Sequence, residues 1–388
     1  MKIILSKSYL LFLILLLPFL EPTLFSLSDI NKIFFVWKAV SVIIISFLLI
    51  KRIYKLSKIS LIIIFYETII LFSTIINKGN IFDAAGDALA IIALCILIEN
   101  GLIKFGKNRT LKPIILIFLI YSIINLIDVF INFDGKDVNN SFFLGMDNRF
   151  IFYFLPMICF SIITEDGSKK SRYLTITCFI ISIFTIIYTW SVGALIGIII
   201  YFIYFIILTY KKTKYKKNLF DFNKCFLIIC LVNILLVVFK IQYLFSDIII
   251  NVLHKDPNLS GRTYLWNIGL KKFLQSPFIG YGINKEYLMS YLWGLNHYHN
   301  YFLNCLYQAG VIGFSIFVGM NIMTGNKIKK YNNSKNVKII SCTIIISLIL
   351  SLVDTLDYPF FYVLFTLGYN ANYLIENSNS NSKNYKEK

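Results

Sequence analysis

The chain of 388 residues is long enough for two or three soluble domains, but its composition excludes a soluble protein. Apolar residues make up 57% of the sequence, and charged residues make up only 15%, against about 25% in an average soluble protein. The formal net charge is nevertheless +18. Two explanations are open for this surplus: a surface that binds nucleic acid, or the cytoplasmic lysines and arginines of a multi-pass membrane protein.

Apolar stretches about the length of a bilayer span recur along the whole chain. They predict twelve transmembrane helices, at about 8–27, 33–50, 59–76, 86–103, 113–132, 149–164, 172–190, 193–210, 223–244, 300–322, 339–353 and 359–375. The predicted fold class is an all-α polytopic membrane protein with about 12 transmembrane helices and one large extracytoplasmic loop, which contains short amphipathic helices. The predicted parts are helices 1 to 9 (1–245), the loop (246–298), helices 10 to 12 (299–375) and a cytoplasmic polar tail (376–388).

The positions of the basic residues separate the two explanations of the charge. If the N-terminus is cytoplasmic and the helices alternate, 27 of the 38 Lys and Arg residues fall in cytoplasmic segments, including the tail. This asymmetry is what the positive-inside rule requires. We therefore predict a bacterial cell membrane protein with both termini in the cytoplasm, and nucleic acid is not needed as a partner. The seven cysteines are scattered singly in apolar stretches, which predicts neither a metal site nor disulfides.

The extracytoplasmic segment 246–298 differs from the other outside loops, which are short and mildly acidic. It is more than fifty residues long and carries a net charge of plus two. Together with the start of the next helix, it contains every histidine of the chain: His254, His297 and His299. Histidine titrates near neutral pH, so proton transfer is an expected function of this region. A long loop that simply collects polar residues is the alternative.

Arg262 begins an apolar pattern that suits an amphipathic helix on the membrane surface, with Ser260 as its predicted N-cap. In the first turn of a helix, a guanidinium and free backbone N–H groups can together hold a phosphate oxygen. The alternative is that Arg262 only reaches towards lipid headgroups, because the same sequence pattern would fit that role. Gly280-Tyr281-Gly282 follows as a flexible turn.

His299 is predicted to enter the tenth helix, and Gly310 and Gly313 follow it on the same helix. Gly310 lies eleven positions after His299, and on a regular helix this separation places both residues on nearly the same face. The two glycines are expected to let a neighbouring helix approach closely. Such packing would hold the histidine at a fixed depth beside the membrane surface.

These motifs, in this order and spacing, resemble the O-antigen ligase/polymerase superfamily. The resemblance covers about residues 255–320 and rests on Ser260-Gly261-Arg262, on Pro277-Phe278-Ile279-Gly280-Tyr281-Gly282, and on His299-Asn300 with Gly310-Val311-Ile312-Gly313. It implies a metal-independent, inverting glycosyltransferase without a cofactor, whose donor is an oligosaccharide linked to undecaprenyl pyrophosphate. His299 would then be the general base, and Arg262 would neutralise the pyrophosphate leaving group.

The resemblance also implies a second arginine, in a Ser-Arg-Gly segment between two earlier helices. This chain has Ser191-Val192-Gly193 there, so the arginine is absent. Arg149, Lys271 or Lys272 are candidates for its role, with Arg149 favoured because it lies at the outer end of the sixth helix. His254 and His297 are further candidates for binding the substrate or its pyrophosphate.

Polymerases and ligases of this superfamily differ in the acceptor of the glycan. Alanine occurs only nine times, whereas isoleucine and lysine are abundant, which is typical of an AT-rich genome such as that of many Gram-positive bacteria. Because such cells have no lipopolysaccharide core, a polymerase of a capsular polysaccharide is favoured over an O-antigen-type ligase. A flippase and a regulator of chain length are the expected partners, besides the lipid bilayer.

A flippase or transporter of lipid-linked oligosaccharide is the alternative from another class. It would carry ionisable groups in mid-membrane. Glu67, near the centre of the third predicted helix, is the candidate for such a group. We expect it to form a structural ion pair with Lys38 of the neighbouring helix. We favour the enzyme because no repeat of one half of the chain in the other is visible and because a long folded outside loop is uncommon in flippases.

Overall fold

The computed structural model describes residues 6–133, 141–210, 221–251, 256–259, 261–284, 288, 292, 295, 297–355 and 358–375. These residues form helices and contain no β-strand. The helices are α1 (Lys7–Leu16), α2 (Thr23–Ser26), α3 (Asn31–Ile50), α4 (Lys58–Ile76), α5 (Ile81–Asn132), α6 (Ile151–Ile163), α7 (Lys169–Thr189), α8 (Val192–Tyr210), α9 (Phe222–Val237), α10 (Ser246–Asn251), α11 (Arg262–Gln275), α12 (Tyr301–Lys330), α13 (Lys335–Leu350) and α14 (Pro359–Tyr369).

The apolar helices agree with the predicted multi-pass membrane protein. In the described part of the chain, five helices are long and apolar enough to cross a bilayer: α3, α4, α5, α7 and α12. Shorter apolar helices lie at 7–20, 192–207, 222–237 and 359–369. Helix α5 covers two predicted spans, which meet at a break at Gly106. The count of twelve spans and the division into four parts stay predictions.

Helix α12 lies at the centre of the packing and contacts α4, α14, α11 and α9. A large apolar core fills the space between the long helices. A second, smaller apolar cluster lies under α11, where Leu265 and Trp266 pack with Leu303 and Tyr307 of α12. At Gly269, an added Cβ would lie 2.6 Å from Leu303, so α11 approaches α12 closely there. The predicted amphipathic helix therefore packs its apolar face on the protein.

Helix α12 is broken at Gly310, where the backbone has a positive φ of 60°. The non-helical segment Pro277–Gly282 crosses this break and bonds to the backbone groups that the break leaves free. The four bonds are Tyr281 N–H to Tyr307 O (2.7 Å), Gly282 N–H to Gln308 O (2.9 Å), Val311 N–H to Pro277 O (2.8 Å) and Ile312 N–H to Phe278 O (3.3 Å). The segment thus ties the loop that contains α11 to α12.

The expectation that Gly310 lets a neighbouring helix approach closely is wrong. A Cβ at Gly310 would overlap the carbonyl oxygen of Phe278, so the close neighbour is the non-helical segment Pro277–Gly282 and not a helix. Gly313 does face a helix, because a Cβ added there would contact Ile69 and Tyr66 of α4 across the interface. His299 precedes the N-cap Asn300 and lies outside the helix, so it does not share a helix face with Gly310 as expected.

The expected ion pair between Glu67 and Lys38 is also wrong. The ammonium group of Lys38 pairs with the carboxylate of Glu21, which is 4% exposed. Glu21 follows the turn after α1, and this turn packs against α3, the helix of Lys38. Glu67 is buried, and Tyr362 of α14 hydrogen-bonds to its carboxyl group.

Candidate active site

Five polar residues contact one another where three connections between helices come together, and the charge of a sixth, Arg262, acts on two of them. Asn148 and Arg149 lie before α6, Arg262 and the two histidines His297 and His299 lie between α9 and α12, and Asp354 lies between α13 and α14. We call these residues the His299 cluster. The charge count predicts all three connections on the outer side of the membrane, so the contacts agree with that topology.

His299 does not enter α12 as predicted but stands just before it. Asn300 is the N-cap, and its side-chain oxygen accepts from Leu303 N–H at 2.8 Å. The Asn300 amide donates to Asn233 and to the carbonyl of Leu352, which fixes this residue from two sides. His299 itself has a positive φ of 49°, a strained conformation for a residue other than glycine. The anchored Asn300 holds the strained turn that directs the imidazole into the cluster.

Asp354 faces the imidazole of His299. Its Oδ1 lies 3.6 Å from His299 Nδ1, and both side chains are largely buried. Asn148 donates to Oδ2 at 2.6 Å, and Thr355 N–H donates to Oδ1 at 2.8 Å. Burial alone would raise the pKa of Asp354, but His299, Thr355 N–H and the charge of Arg262 outweigh it and lower this pKa. Asp354 is therefore a carboxylate that can orient His299 with Nε2 free for chemistry.

His297 lies between Arg149 and His299. Its Nε2 is 3.1 Å from a guanidinium nitrogen of Arg149, and its Nδ1 is 3.3 Å from the backbone nitrogen of His299. The two imidazole rings are 4.1 Å apart. Burial, followed by the charges of His299 and Arg149, lowers the pKa of His297 to about 3. His297 is therefore neutral at neutral pH and cannot provide positive charge for a pyrophosphate.

Arg262 is the first residue of α11, as predicted, and it follows Gly261, which has a positive φ of 83°. Gly261 occupies the N-cap position, whereas the predicted N-cap, Ser260, lies outside the described residues. Burial lowers the pKa of Arg262, and the negative charge of Asp354 opposes this effect. An arginine remains charged even so, because its unperturbed pKa is far above neutral pH.

Three further predicted binding residues stay predictions: Lys271, Lys272 and His254. The main charges on His297 come from His299, Arg149 and Asp354, and those on Asp354 come from His299 and Arg262. Lys271 is exposed. The remaining candidate, His254, lies outside the described residues.

Three members of the cluster have the spacing of metal ligands. The ligating atoms of His297, His299 and Asp354 all lie within 4.8 Å of one another. However, Arg149 occupies one side of His297, and the charge of Arg262 acts on both His297 and Asp354. Two guanidinium groups would repel a divalent cation. The charges of the cluster therefore suit an anionic ligand better than a metal ion.

Comparison with known proteins finds a matching family and a relative of known name. The O-antigen ligase family matches residues 177–318, which include Arg262, His297 and His299. The predicted resemblance to the O-antigen ligase/polymerase superfamily is confirmed. The chain is also 32% identical over 92 residues to the exopolysaccharide production protein ExoQ of Rhizobium meliloti (strain 1021). This match covers 20% of the chain, and the chain spans only about a fifth (21%) of the length of that relative.

The structure also bears on the missing second arginine. Helix α8, which starts within Ser191-Val192-Gly193, contacts the turn Asp147–Arg149. Arg149 therefore comes from a different segment but stands beside the helix where the resemblance expects an arginine.

Two members of the cluster are not marked by the sequence. Asp354 is one of several acidic residues in the predicted outside loops, and nothing in its surroundings distinguishes it from the others. Asn148 likewise lies in a short polar connection without a motif, 206 positions from Asp354. The one sequence signal is that Asn148 directly precedes Arg149.

Proposed function

We propose that the chain is a polymerase that joins undecaprenyl-pyrophosphate-linked oligosaccharide repeat units into a capsular or O-antigen-like polysaccharide. It would act at the outer face of the cell membrane by inverting glycosyl transfer, without a metal or other cofactor. The observation that carries this proposal is the His299 cluster, in which a histidine paired with a carboxylate stands beside two arginines. The superfamily match and the relative in exopolysaccharide production support it.

In the proposed reaction, an acceptor sugar hydroxyl attacks the anomeric carbon of the donor glycan. His299 Nε2 takes the hydroxyl proton while the new glycosidic bond forms. Asp354, at 3.6 Å from Nδ1, holds the imidazole in position and stabilises its protonated form. Asp354 is therefore a positioning residue, and His299 is the proposed catalytic base.

The bond to the lipid pyrophosphate breaks as the new bond forms, and negative charge grows on the leaving phosphate. Arg262 and Arg149 are the proposed partners of this charge. Both are fixed before the reaction, Arg262 at the start of α11 and Arg149 by its contact with His297. Fixed positive groups stabilise the developing charge without having to reorganise during the reaction.

A ligase that passes the glycan to a different acceptor is the second candidate, because the matching family is described as O-antigen ligase. The cluster would perform the same chemistry, and only the acceptor would differ. A flippase is less well supported, because the proposed chemistry uses the cluster in the connections and not Glu67. A separate flippase and a chain-length regulator remain proposed partners of the polymerase.

The test uses the purified full-length protein and lipid-linked repeat units extracted from cells in which its gene is deleted. With EDTA present, we expect a ladder of polymers. Arg262→Ala and His299→Ala should leave single repeat units, while Lys32→Ala, which removes an exposed charge from another segment, should give the normal ladder. Normal polymers from His299→Ala would overturn the proposal. Unchanged substrate with the unmodified protein, but transfer to an added acceptor, would identify a ligase instead.

A further inference from the structure

His297 stands between the proposed phosphate-binding Arg149 and the proposed base His299. It is 6% exposed, and each of its ring nitrogens faces an N–H donor. Nε2 faces the guanidinium of Arg149 at 3.1 Å, and Nδ1 faces the backbone N–H of His299 at 3.3 Å. Arg149 and His299 are otherwise far apart in sequence, so His297 is the residue that physically connects them.

The two contacts compete for one acceptor. A neutral imidazole has a single nitrogen with a free lone pair, and its other nitrogen carries a proton. Arg149 can only donate, so a bond from Arg149 requires the lone pair on Nε2. A bond from His299 N–H requires the lone pair on Nδ1. His297 can therefore accept from Arg149 or from His299, but not from both at once.

We propose that His297 is a positioning residue that serves Arg149 before the donor binds and His299 afterwards. This inference rests on the proposed function. Before binding, Nε2 accepts from Arg149 and holds the guanidinium towards the place of the phosphate. When the bound phosphate accepts the Arg149 N–H that faced Nε2, Nδ1 gives its proton to water and Nε2 takes a proton from water. Nε2–H then donates to the phosphate, and Nδ1 accepts from His299 N–H.

In the second state, the bond from His299 N–H to His297 Nδ1 would stabilise the strained backbone turn at His299. His299 has a φ of 49°, and its N–H bond to His297 is one of the contacts that hold it in this conformation. Binding of the phosphate would thus fix the catalytic imidazole at the moment when the donor is present. No charge is added to the buried site, because His297 stays neutral in both states.

Two isosteric variants separate the two contacts. The side chain of glutamine places an acceptor near the position of Nε2, and that of asparagine places one near the position of Nδ1. His297→Asn should weaken the binding of inorganic pyrophosphate about tenfold, because it lacks the N–H that donates to the bound phosphate, and lower kcat on lipid-linked repeat units less than His297→Gln does. His297→Gln should keep the pyrophosphate affinity, because its amide can accept from Arg149 or donate to the phosphate, and lower kcat about tenfold, because the acceptor for His299 N–H is lost.

A double variant tests the coupling directly. In the Arg149→Ala background, Nε2 has no guanidinium to accept from in the free state, so His297→Asn should weaken pyrophosphate binding at least as much as it does alone. Titration calorimetry of the full-length protein in nanodiscs measures the affinity, and thermal unfolding of each variant checks that it is folded. A smaller loss of affinity from His297→Asn in the Arg149→Ala background than alone, or equal losses of affinity and kcat in both single variants, would overturn the inference.

The failure of the inference can be told apart from the failure of the proposed function. If Arg262→Ala and His299→Ala abolish polymer growth while both His297 variants behave as the unmodified protein, only the inference is wrong. If His299→Ala polymerises normally, the proposed function itself is wrong.

Discussion

Two buried polar clusters of this protein differ in how well their hydrogen-bond donors and acceptors are paired. The first contains Ser60, Glu99 and Asn370, where both carboxylate oxygens of Glu99 accept bonds, from Ser60 at 2.6 Å and from Asn370 at 3.2 Å. The second is the His299 cluster, where a histidine has a strained backbone, a 3.6 Å contact joins His299 to Asp354, and two donors face one imidazole. A buried cluster with paired donors and acceptors stabilises a fold, whereas a strained cluster is typical of a binding or catalytic site.

The largest effect should come from removing the proposed base. His299→Ala is expected to lower the rate of polymer growth by about 10²- to 10⁴-fold, the usual contribution of a general base. The matched control is Glu99→Gln, which changes a buried carboxyl group in the other cluster and should leave the rate close to normal. The rate is measured with purified protein and lipid-linked repeat units. A similar loss in both variants would contradict the distinction between the clusters.

Arg149→Ala should lower the rate by about 10²- to 10³-fold, as expected when one group that stabilises developing charge is removed. Val192→Arg in the same chain restores the Ser-Arg-Gly sequence beside the turn of Arg149. We expect the protein with both Arg149→Ala and Val192→Arg to react at least about tenfold faster than Arg149→Ala alone, because the new guanidinium reaches the same phosphate. If Val192→Arg gives no recovery in a folded protein, Arg149 does not replace the missing arginine.

Gly310→Ala tests whether the break of α12 supports the His299 cluster. Its Cβ would overlap the carbonyl of Phe278, and its positive φ of 60° is unfavourable for alanine. We expect a loss of roughly 2–4 kcal/mol of stability, measured by thermal unfolding in detergent. Gly319→Ala is the control on the same helix, where a Cβ meets no atom within 4 Å, and it should not destabilise the protein. Equal unfolding temperatures of the two variants would argue against the crossing segment as a support.

The smallest effect concerns the dependence of stability on pH. Because the pKa of His297 is lowered to about 3 in the folded protein, only the unfolded chain binds this proton as pH falls below about 6.5. Folding stability should therefore decrease by about 2 kcal/mol between pH 7 and pH 5 through this residue. His297→Gln should lose less stability over this interval than the unmodified protein. The same pH dependence in both would show that His297 is not held neutral by burial.

Arg262 and His299 can be chosen from the sequence because a local motif marks each of them. The favoured substitute, Arg149, follows from its expected position at the outer end of a helix, and its contact with His297 agrees with that choice. The role of Gly310 cannot be predicted from the sequence, because a glycine that breaks a helix and a glycine that lets another helix approach look alike in a sequence. The pairing of Lys38 with Glu21 rather than Glu67 depends on the turn after α1, which periodicity does not describe.

The sequence by itself determined the helical, membrane-spanning character of the protein, its expected orientation and the superfamily it resembles. These properties follow from local hydrophobicity, from the distribution of charge and from short motifs. Only the tertiary structure decided which polar residues meet. Asp354 and Asn148 join His299 from connections that are distant along the chain, and their contacts exist because the packing of α6, α12 and α13 brings those connections together.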